Sequence, residues 1–261
     1  MFIKKLIIVL TFFCLILTVN AQEIRILTTE EPPTNYTSGS GKITGTTTDI
    51  IEAIKKELNI TVSIEMMPWA RAYKISKNKS NIIIYTASKT QERIDMGFHF
   101  IGPVTTRKHI LMSKKESDFN IKNLEDVKKQ KLTIGTMKGD WRSNYFRKQG
   151  FRVDDVPMHE QNIKKLIRKR FDLWATSDIE APLIAKQAGI NISEIKQAFI
   201  FKEASSYILL SKNTSSEIVK KWQNAYQKIQ ATDFFEKTSK KWSAILGFEL
   251  LYSKNKGFFI K

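Results

Sequence analysis

Cysteine is almost absent from this chain. The single cysteine, Cys14, lies in an N-terminal segment that carries two lysines and then an apolar run from Leu6 to Val19. Such a segment predicts a secretory signal over residues 1–21, cleaved before Gln22, with an uncleaved anchor as the alternative. The mature chain then has no thiol for a disulfide or a metal-thiolate site, so its stability must come from its core.

Long apolar runs and histidines are also scarce. After the N-terminal segment no stretch is apolar over enough residues to cross a membrane. The three histidines, His99, His109 and His159, show no metal-ligand spacing and no clustered acids beside them. No nucleophile motif is present either. We therefore expect no metal, no cofactor and no catalytic residue.

Acidic residues are the minority among the charged residues. The chain has 43 Lys and Arg against 26 Asp and Glu, a net charge of +17, which falls to +15 when Lys4 and Lys5 leave with the signal. A surplus of this size favours nucleic acid, anionic lipid or acidic ligands where the charges cluster. The lysines are spread along the whole chain without interleaved aromatics, so we expect a solvated surface and no nucleic-acid partner.

Strand and helix patterns alternate along the chain. Strands are predicted at "EIRILTT", "TVSIEMMPWARAY" and "NIIIYTA", and a helix at "TTTDIIEAIKKELNI". The pattern starts again with "KHILMSK", "KLTIGTMKG", "FDLWAT" and "SSYILLSK" as strands with helices between them, and two amphipathic helices follow. This order predicts two α/β units with largely parallel sheets, and a cleft where they adjoin.

Four groups of residues, taken in their order and spacing, resemble a known family. They are "EEPPTNY…GKITGTTTDII", "MPWARAY", "ASKTQERIDMGFHFIGPV", and the pair "LTIGTMKGDW" and "RFDLWATSD". From about Arg25 to Trp242 the chain is similar to the periplasmic solute-binding proteins of the amino-acid-binding type, called family 3.

The resemblance implies an α/β, two-lobed periplasmic binding protein-like fold of type II. Each lobe is then a mostly parallel sheet flanked by helices, and two hinge strands join the lobes. The expected boundaries are residues 22–103 and 207–261 for lobe one and residues 108–201 for lobe two, with the hinge at 104–107 and 202–206.

The resemblance also implies capture of a small polar, carboxylate-bearing solute, an amino acid or a related compound, between lobes that close around it. The protein would work in the periplasm as a monomer, with an ABC transporter permease or a membrane sensor as its partner. The sequence leaves two other functions open: a dehydratase-like enzyme on the same fold, which would need a general acid or base in the cleft, and an interaction protein with a degenerate cleft.

Ser88 and Arg93 are the candidates for holding an anion. Ser88 can cap a helix with Gln91 completing a capping box, and such a helix start presents backbone donors to a carboxylate. Arg93 can present a planar fork to the same carboxylate, or it can be a surface arginine paired with Glu92 or Asp95. The resemblance places the arginine that grips the solute on Arg93, and a hydroxyl ligand on Ser88.

Further candidates lie in the first unit. Trp69 follows a strand end and is either a pocket wall or a core residue; the resemblance favours the wall. Arg71 can add a second positive charge, and Thr86 can offer a backbone carbonyl to an amine or be an ordinary strand end. Tyr36 can close one side of the cleft. Asp49 begins a helix, where capping explains it better than ligand contact.

Gly139, Asp140 and Asp178 are the candidates in the second unit. Gly139 ends a tight turn, and Asp140 stands where amino-acid-binding members commonly have a hydroxyl. An aspartate there would cap the helix, repel an anion and attract an amine. Asp178 is similar to the acid that pairs with a ligand amine, but it is one residue out of register, since the matching position holds Ser177.

Overall fold

The computed structural model describes residues 24–138 and 140–261. The predicted signal over residues 1–21 and the candidate Gly139 lie outside the described residues. The strands of the described part are Arg25–Thr28 (β1), Tyr36–Thr37 (β2), Ile43–Thr44 (β3), Ile64–Met66 (β4), Ile82–Ser88 (β5), His99–Lys114 (β6), Thr133–Met137 (β7), Arg152–Val156 (β8), Leu173–Ser177 (β9), Ile195–Leu210 (β10), Leu251–Ser253 (β11) and Gly257–Phe259 (β12).

Helices lie between most of these strands. They are Thr46–Glu57 (α1), Trp69–Asn78 (α2), Gln91–Asp95 (α3), Leu124–Lys129 (α4), Trp141–Lys148 (α5), His159–Ile167 (α6), Glu180–Ala188 (α7), Ser216–Gln230 (α8) and Phe234–Leu246 (α9). No helix of residues 24–138 and 140–261 combines the length and the apolar character that a membrane crossing requires.

One ten-stranded sheet runs through the molecule. Eight of its strands follow the order β4-β1-β5-β10-β6-β9-β7-β8, and the β11–β12 hairpin joins at β6. β1 is parallel to β4 and β5 at one end, and β7 is parallel to β8 and β9 at the other. The predicted α/β class with two largely parallel parts is confirmed.

Successive strand residues pack alternately into separate hydrophobic clusters on the two faces of the sheet. In β5, Ile83 and Tyr85 pack into the largest core, whereas Ile82 and Ile84 pack towards α2. In β6, Ile110 packs with α6 and α7, whereas Leu111 packs on the opposite face. This is the two-residue period of a sheet covered on both faces. We call the part around the largest core lobe one, and the part around the two clusters of β6 lobe two.

Two long antiparallel strands connect the lobes. β6 and β10 have 16 residues each and pair from Lys114 with Ile195 to His99 with Leu210. Bulges interrupt the register at three places, two of them beside Lys202 and between Ser206 and Ile208. The sequence predicted shorter strands with separate connections; here the connections lie inside β6 and β10. The exact residue boundaries of the lobes stay a prediction.

The last two helices form as their sequence pattern predicts. In α8 the buried Val219, Trp222, Tyr226 and Ile229 recur every three or four residues, and Ser215 caps the helix by accepting from the Ile218 N–H. α9 packs beside it in the largest core of lobe one. The hairpin of β11 and β12 was not predicted, and it pairs with the hinge strand β6 at Thr105.

Candidate functional site

A cavity of about 1080 Å³ lies where the lobes and the hinge strands meet. Its wall includes residues from the loop after β1, from the C-terminal half of β5, from β6 and β10, and from the starts of α5, α6 and α7. The carboxyl ends of parallel strands and the N-termini of the following helices therefore face this space, the usual place for a ligand in an open α/β sheet.

The lobe-one wall holds an arginine laid over two aromatic rings. Trp69, the first residue of α2, stacks on Tyr73 with ring centroids 5.6 Å apart and planes 9° from parallel. The guanidinium carbon of Arg93 lies 5.1 Å from the Trp69 ring centroid and 4.9 Å from that of Tyr73. One of its nitrogens donates to the carbonyl oxygen of Ser88. Both Trp69 and Arg93 line the cavity.

Arg93 is held by stacking and not by an acid. Within the described residues no carboxylate forms an ion pair with it, so the alternative of a surface pair with Glu92 or Asp95 is wrong; Asp95 accepts instead from Gln91. Cation–π stacking fixes the plane of the guanidinium and leaves most of its donors available.

The predicted cap at Ser88 is wrong. Ser88 still pairs with Ser206 as the last residue of β5, so its backbone stays extended and the helix begins later. Thr90 caps α3 by accepting from the Arg93 N–H at 3.3 Å. α3 has only five residues, so its start carries little dipole. Ser88 does line the cavity, and its carbonyl oxygen accepts from Arg93.

Thr86 lies at a strained point of the cavity wall. Its φ is 63°, which is rare for a β-branched residue, and the opposite strand shifts register there. The hydroxyl donates to Asn35 Oδ1 at 2.6 Å, so it is committed within lobe one. The predicted use of its backbone carbonyl for a ligand amine stays a prediction.

Three other lobe-one candidates lie away from the cavity. Tyr36 packs edge-on against Trp242, with centroids 6.3 Å apart, and Arg71 is exposed on α2; neither lines the cavity. Asp49 accepts from Lys241 and from the Trp242 indole, both at 2.7 Å, and ties α1 to α9. The expectation that Asp49 begins and caps the helix is wrong, because α1 begins at Thr46 with Gly45 as its N-cap and no side-chain cap; Asp49 lies in the first turn, where an acid suits the helix dipole.

The lobe-two wall is built on one buried arginine. Arg142 is paired with Asp140 and with Glu180, each at 2.7 Å, and all three side chains are at most 10% exposed. Asp140 also caps α5, as predicted, by accepting from the Arg142 N–H at 2.8 Å. Burial alone would raise the pKa of Asp140, but Arg142 and His159 outweigh it and hold the pKa at about 2.

Glu180 is the acid that the sequence reading missed. Burial opposes its ionisation, yet the Arg142 guanidinium holds the pKa of this carboxyl well below its usual range. Ser177 accepts from the Glu180 N–H at 3.2 Å, and its hydroxyl donates to the Glu180 carboxylate at 3.1 Å. The segment "SDIE" therefore has the Ser-x-x-Glu pattern that is typical of a helix start. This pattern is the sequence signal by which Glu180 could have been found.

Asp178 does not line the cavity. Its carboxylate accepts from the Ile179 N–H at 2.8 Å, and burial raises its pKa to about 6. A carboxyl whose pKa is raised on folding opposes folding when it is ionised, and this cost grows as the pH rises from about 4 to about 6.

We therefore expect Asp178→Asn to increase the free energy of unfolding at pH 7 by about 2 kcal/mol, because asparagine can still accept from Ile179 without carrying a charge. Urea unfolding at pH 7 and at pH 3.5 measures this effect, which should vanish at the lower pH. A variant less stable than the native protein at pH 7 would contradict it. A tenfold loss of solute affinity would instead support the predicted contact with an amine.

Polar groups from both hinge strands form the floor of the cavity. Arg107 is buried and donates to Glu31 and, at 2.7 Å, to the Thr34 hydroxyl. Burial, together with Arg142, Arg107 and Lys202, lowers the pKa of His109 to about 3, so this ring is neutral. Among the described residues Arg107 Nε and His109 Nδ1 are buried with no hydrogen-bond partner.

No group of three or more His, Cys, Asp or Glu in the described part of the chain is arranged to hold a metal ion. Three of the acidic side chains of the cavity, Glu31, Asp140 and Glu180, instead contact arginines.

A two-lobed α/β fold with a polar cavity between its lobes defines a binding protein of the type II periplasmic class. The chain belongs to the bacterial extracellular solute-binding proteins, family 3, whose model matches residues 24–245. The fold predicted from the sequence resemblance is confirmed, and members of this family are binding proteins. The family is extracellular; the predicted signal itself lies outside the described residues.

Curated relatives and a solved structure extend this comparison. The chain is 24% identical to the L-cystine-binding protein TcyA of Bacillus subtilis (strain 168) over 82% of this chain and 78% of that protein. It is 23% identical to an arginine-binding periplasmic protein of Mannheimia haemolytica over 92% of this chain and 98% of that protein. A histidine kinase sensor domain with similarity to periplasmic binding proteins has the same fold, with a TM-score of 0.69 at 14% identity over 84% of this chain and 95% of that domain.

Proposed function

We propose that the protein captures a small carboxylate-bearing solute, an amino acid or a related compound, in the cavity between its lobes. The observation that supports this most is Arg93: a guanidinium that lines the cavity, is oriented by Trp69 and Tyr73, and has no carboxylate partner among the described residues. Such a group provides a planar pair of donors for a carboxylate that enters from solvent.

In this proposal the lobe-one wall binds the solute first. Arg93 holds the carboxylate, the Ser88 hydroxyl adds a donor, and Trp69 covers an apolar part of the solute. The Thr86 carbonyl is available to an amine. Tyr36, Arg71 and Asp178 are left out because they do not line the cavity, and Gly139 stays a prediction from the sequence.

Lobe two completes the site by closing on the solute. Asp140 lies in the lobe-two wall, and its carboxylate already binds Arg142. We therefore propose two roles for Asp140: it orients the Arg142 side chain, and it attracts the amine of the solute. The breaks in the pairing of β6 with β10, beside Lys202 and Ser206, are positions where the hinge strands can bend. Residues 104–107 and 202–206 are the proposed hinge.

The proposed partners are the solute and a membrane protein, either an ABC transporter permease or a sensor. Relatives named for cystine and arginine binding support solute capture, and the similarity to a sensor domain keeps sensing as the alternative use. We propose that the protein acts outside the cytoplasm after removal of its signal, as a monomer, and that it does not convert its solute.

Thermal unfolding with a panel of amino acids and small organic acids tests this proposal. A solute that binds only the folded protein at about 100 times its Kd adds about 2.7 kcal/mol to the free energy of unfolding, which for a chain of this size raises the Tm by roughly 5–10 °C. If no member of the panel raises the Tm, capture of such solutes is contradicted. Mass spectrometry of the recovered solute checks for conversion, which would point to an enzyme.

A further inference from the structure

The cavity wall is richer in acidic side chains than the protein as a whole. Five acidic and four basic side chains line it among the described residues, besides His109 and His159, whereas Lys and Arg outnumber Asp and Glu by 43 to 26 in the whole chain. Burial raises the pKa of Glu31, and His109 is neutral. The carboxylates are Glu30, Glu31, Asp140, Glu160 and Glu180, and the cations are Arg93, Arg107, Arg142 and Lys202.

Most of these carboxylates already have partners. Glu30 accepts from the backbone N–H and the hydroxyl of Thr37, and Glu31 binds Arg107. Asp140 and Glu180 share Arg142, which uses its Nε and both terminal nitrogens on them. A solute cation would have to compete with these bonds.

Glu160 is different. It lies in the first turn of α6 and lines the cavity, and its carboxylate makes no hydrogen bond or ion pair with any described residue. It is therefore the lobe-two counterpart of Arg93, with the opposite charge and, like Arg93, with no ion pair among the described residues. Two free charges of opposite sign on opposite walls fit a solute that carries a carboxylate at one end and a cation at the other.

Two large apolar side chains share the cavity wall with Glu160. Trp141 and Met158 both line the cavity of lobe two, with 41% and 53% of their surface exposed. Exposed large apolar residues in a cavity wall are suited to the methylene stem of a long side chain whose charged end projects further.

We infer that Glu160 selects for a positive charge on the solute's side chain, so that the protein prefers cationic amino acids to their neutral isosteres. This inference rests on the proposed capture of an amino acid through Arg93. Lys202, whose ammonium lies 5.1 Å from the Trp141 ring centroid, lines the same cavity. If this positive charge governs the side-chain end of the site, the protein would instead prefer a solute with a second carboxylate.

Titration calorimetry with matched solutes separates these possibilities. Arginine and citrulline have the same shape but differ in charge, as lysine and norleucine differ mainly in the terminal ammonium. The native protein should bind arginine at least about tenfold more tightly than citrulline. Glu160→Gln should reduce this ratio to below about threefold by weakening arginine alone, since a neutral amide keeps the shape and loses the charge.

Glu125→Gln is the matched control, because Glu125 is an exposed lobe-two carboxylate outside the cavity, paired with Lys128. It should leave the ratio unchanged. Equal binding of arginine and citrulline by the native protein, a ratio that survives Glu160→Gln, or tighter binding of glutamate would each overturn the role of Glu160 while solute capture stands. Binding of a small organic acid but of no amino acid would overturn this inference and leave the proposed function standing. If no member of the panel binds, the proposed function fails and this inference with it.

Discussion

Replacing Arg93 by alanine is expected to weaken the binding of a carboxylate-bearing solute by roughly a hundredfold, about 3 kcal/mol. The physical reason is that the substitution removes both donors of the planar fork and leaves the solute's carboxylate enclosed without a counter-charge. Titration calorimetry with the tightest-binding solute of the thermal panel measures the change.

The substitution Arg93→Ala should change the stability of the unliganded protein very little. Arg93 contributes one hydrogen bond and a stacking contact of about 1 kcal/mol, and it is in no ion pair among the described residues. Arg71→Ala, on an exposed arginine of the same lobe outside the cavity, should keep native affinity. A large fall in the Tm of unliganded Arg93→Ala, with unchanged affinity, would show a structural role instead.

Arg142→Met should lower the free energy of unfolding by about 3–5 kcal/mol at pH 7. The methionine fills much of the same volume, but it leaves the buried Asp140 and Glu180 side by side without the guanidinium that both bind. Denaturant unfolding followed by tryptophan fluorescence measures the loss. Arg152→Met, at an exposed arginine that forms no ion pair in the described part of the chain, should change it by less than about 0.5 kcal/mol.

This loss should depend on pH in a definite direction. The folded-state pKa values of Asp140 and Glu180 lie below their unfolded values, so their contribution is fully present above about pH 5 and disappears as the pH falls towards 2. The difference between native protein and Arg142→Met should therefore shrink between pH 5 and pH 2.5. An equal difference at both ends of this range would attribute the effect to packing rather than to charge.

The sequence predicted the local elements of the fold better than their connection. Strands of apolar, β-branched residues and the amphipathic α8 and α9 carry strong periodic signals of their own. The continuous hinge strand β10 was missed over "IKQAFIFKEA", because this segment is exposed at many positions and its strand state depends on pairing with β6. Propensity cannot show a pairing between residues that lie about 90 positions apart.

The sequence predicted those side chains of the site that follow soon after a strand end. Arg93 and Trp69 follow strands whose ends must face the cleft, and both line the cavity. Arg142 and Glu180 were missed because their role lies in a mutual contact across 38 residues of sequence. Ser88 was wrongly predicted to be a helix cap. Its pairing with Ser206 extends β5 to Ser88, and the local sequence does not show this pairing.

The path of the chain through the hinge also sets an order for folding. The cores of lobe two use residues between Ile110 and Phe201, whereas the core of lobe one joins residues near Ile26 to residues near Phe258. Closing the second set of contacts requires far longer chain loops, which slows their formation. Lobe two is thus the part that can gain its core early, and lobe one reaches its native core only when β10, α8 and α9 return to it.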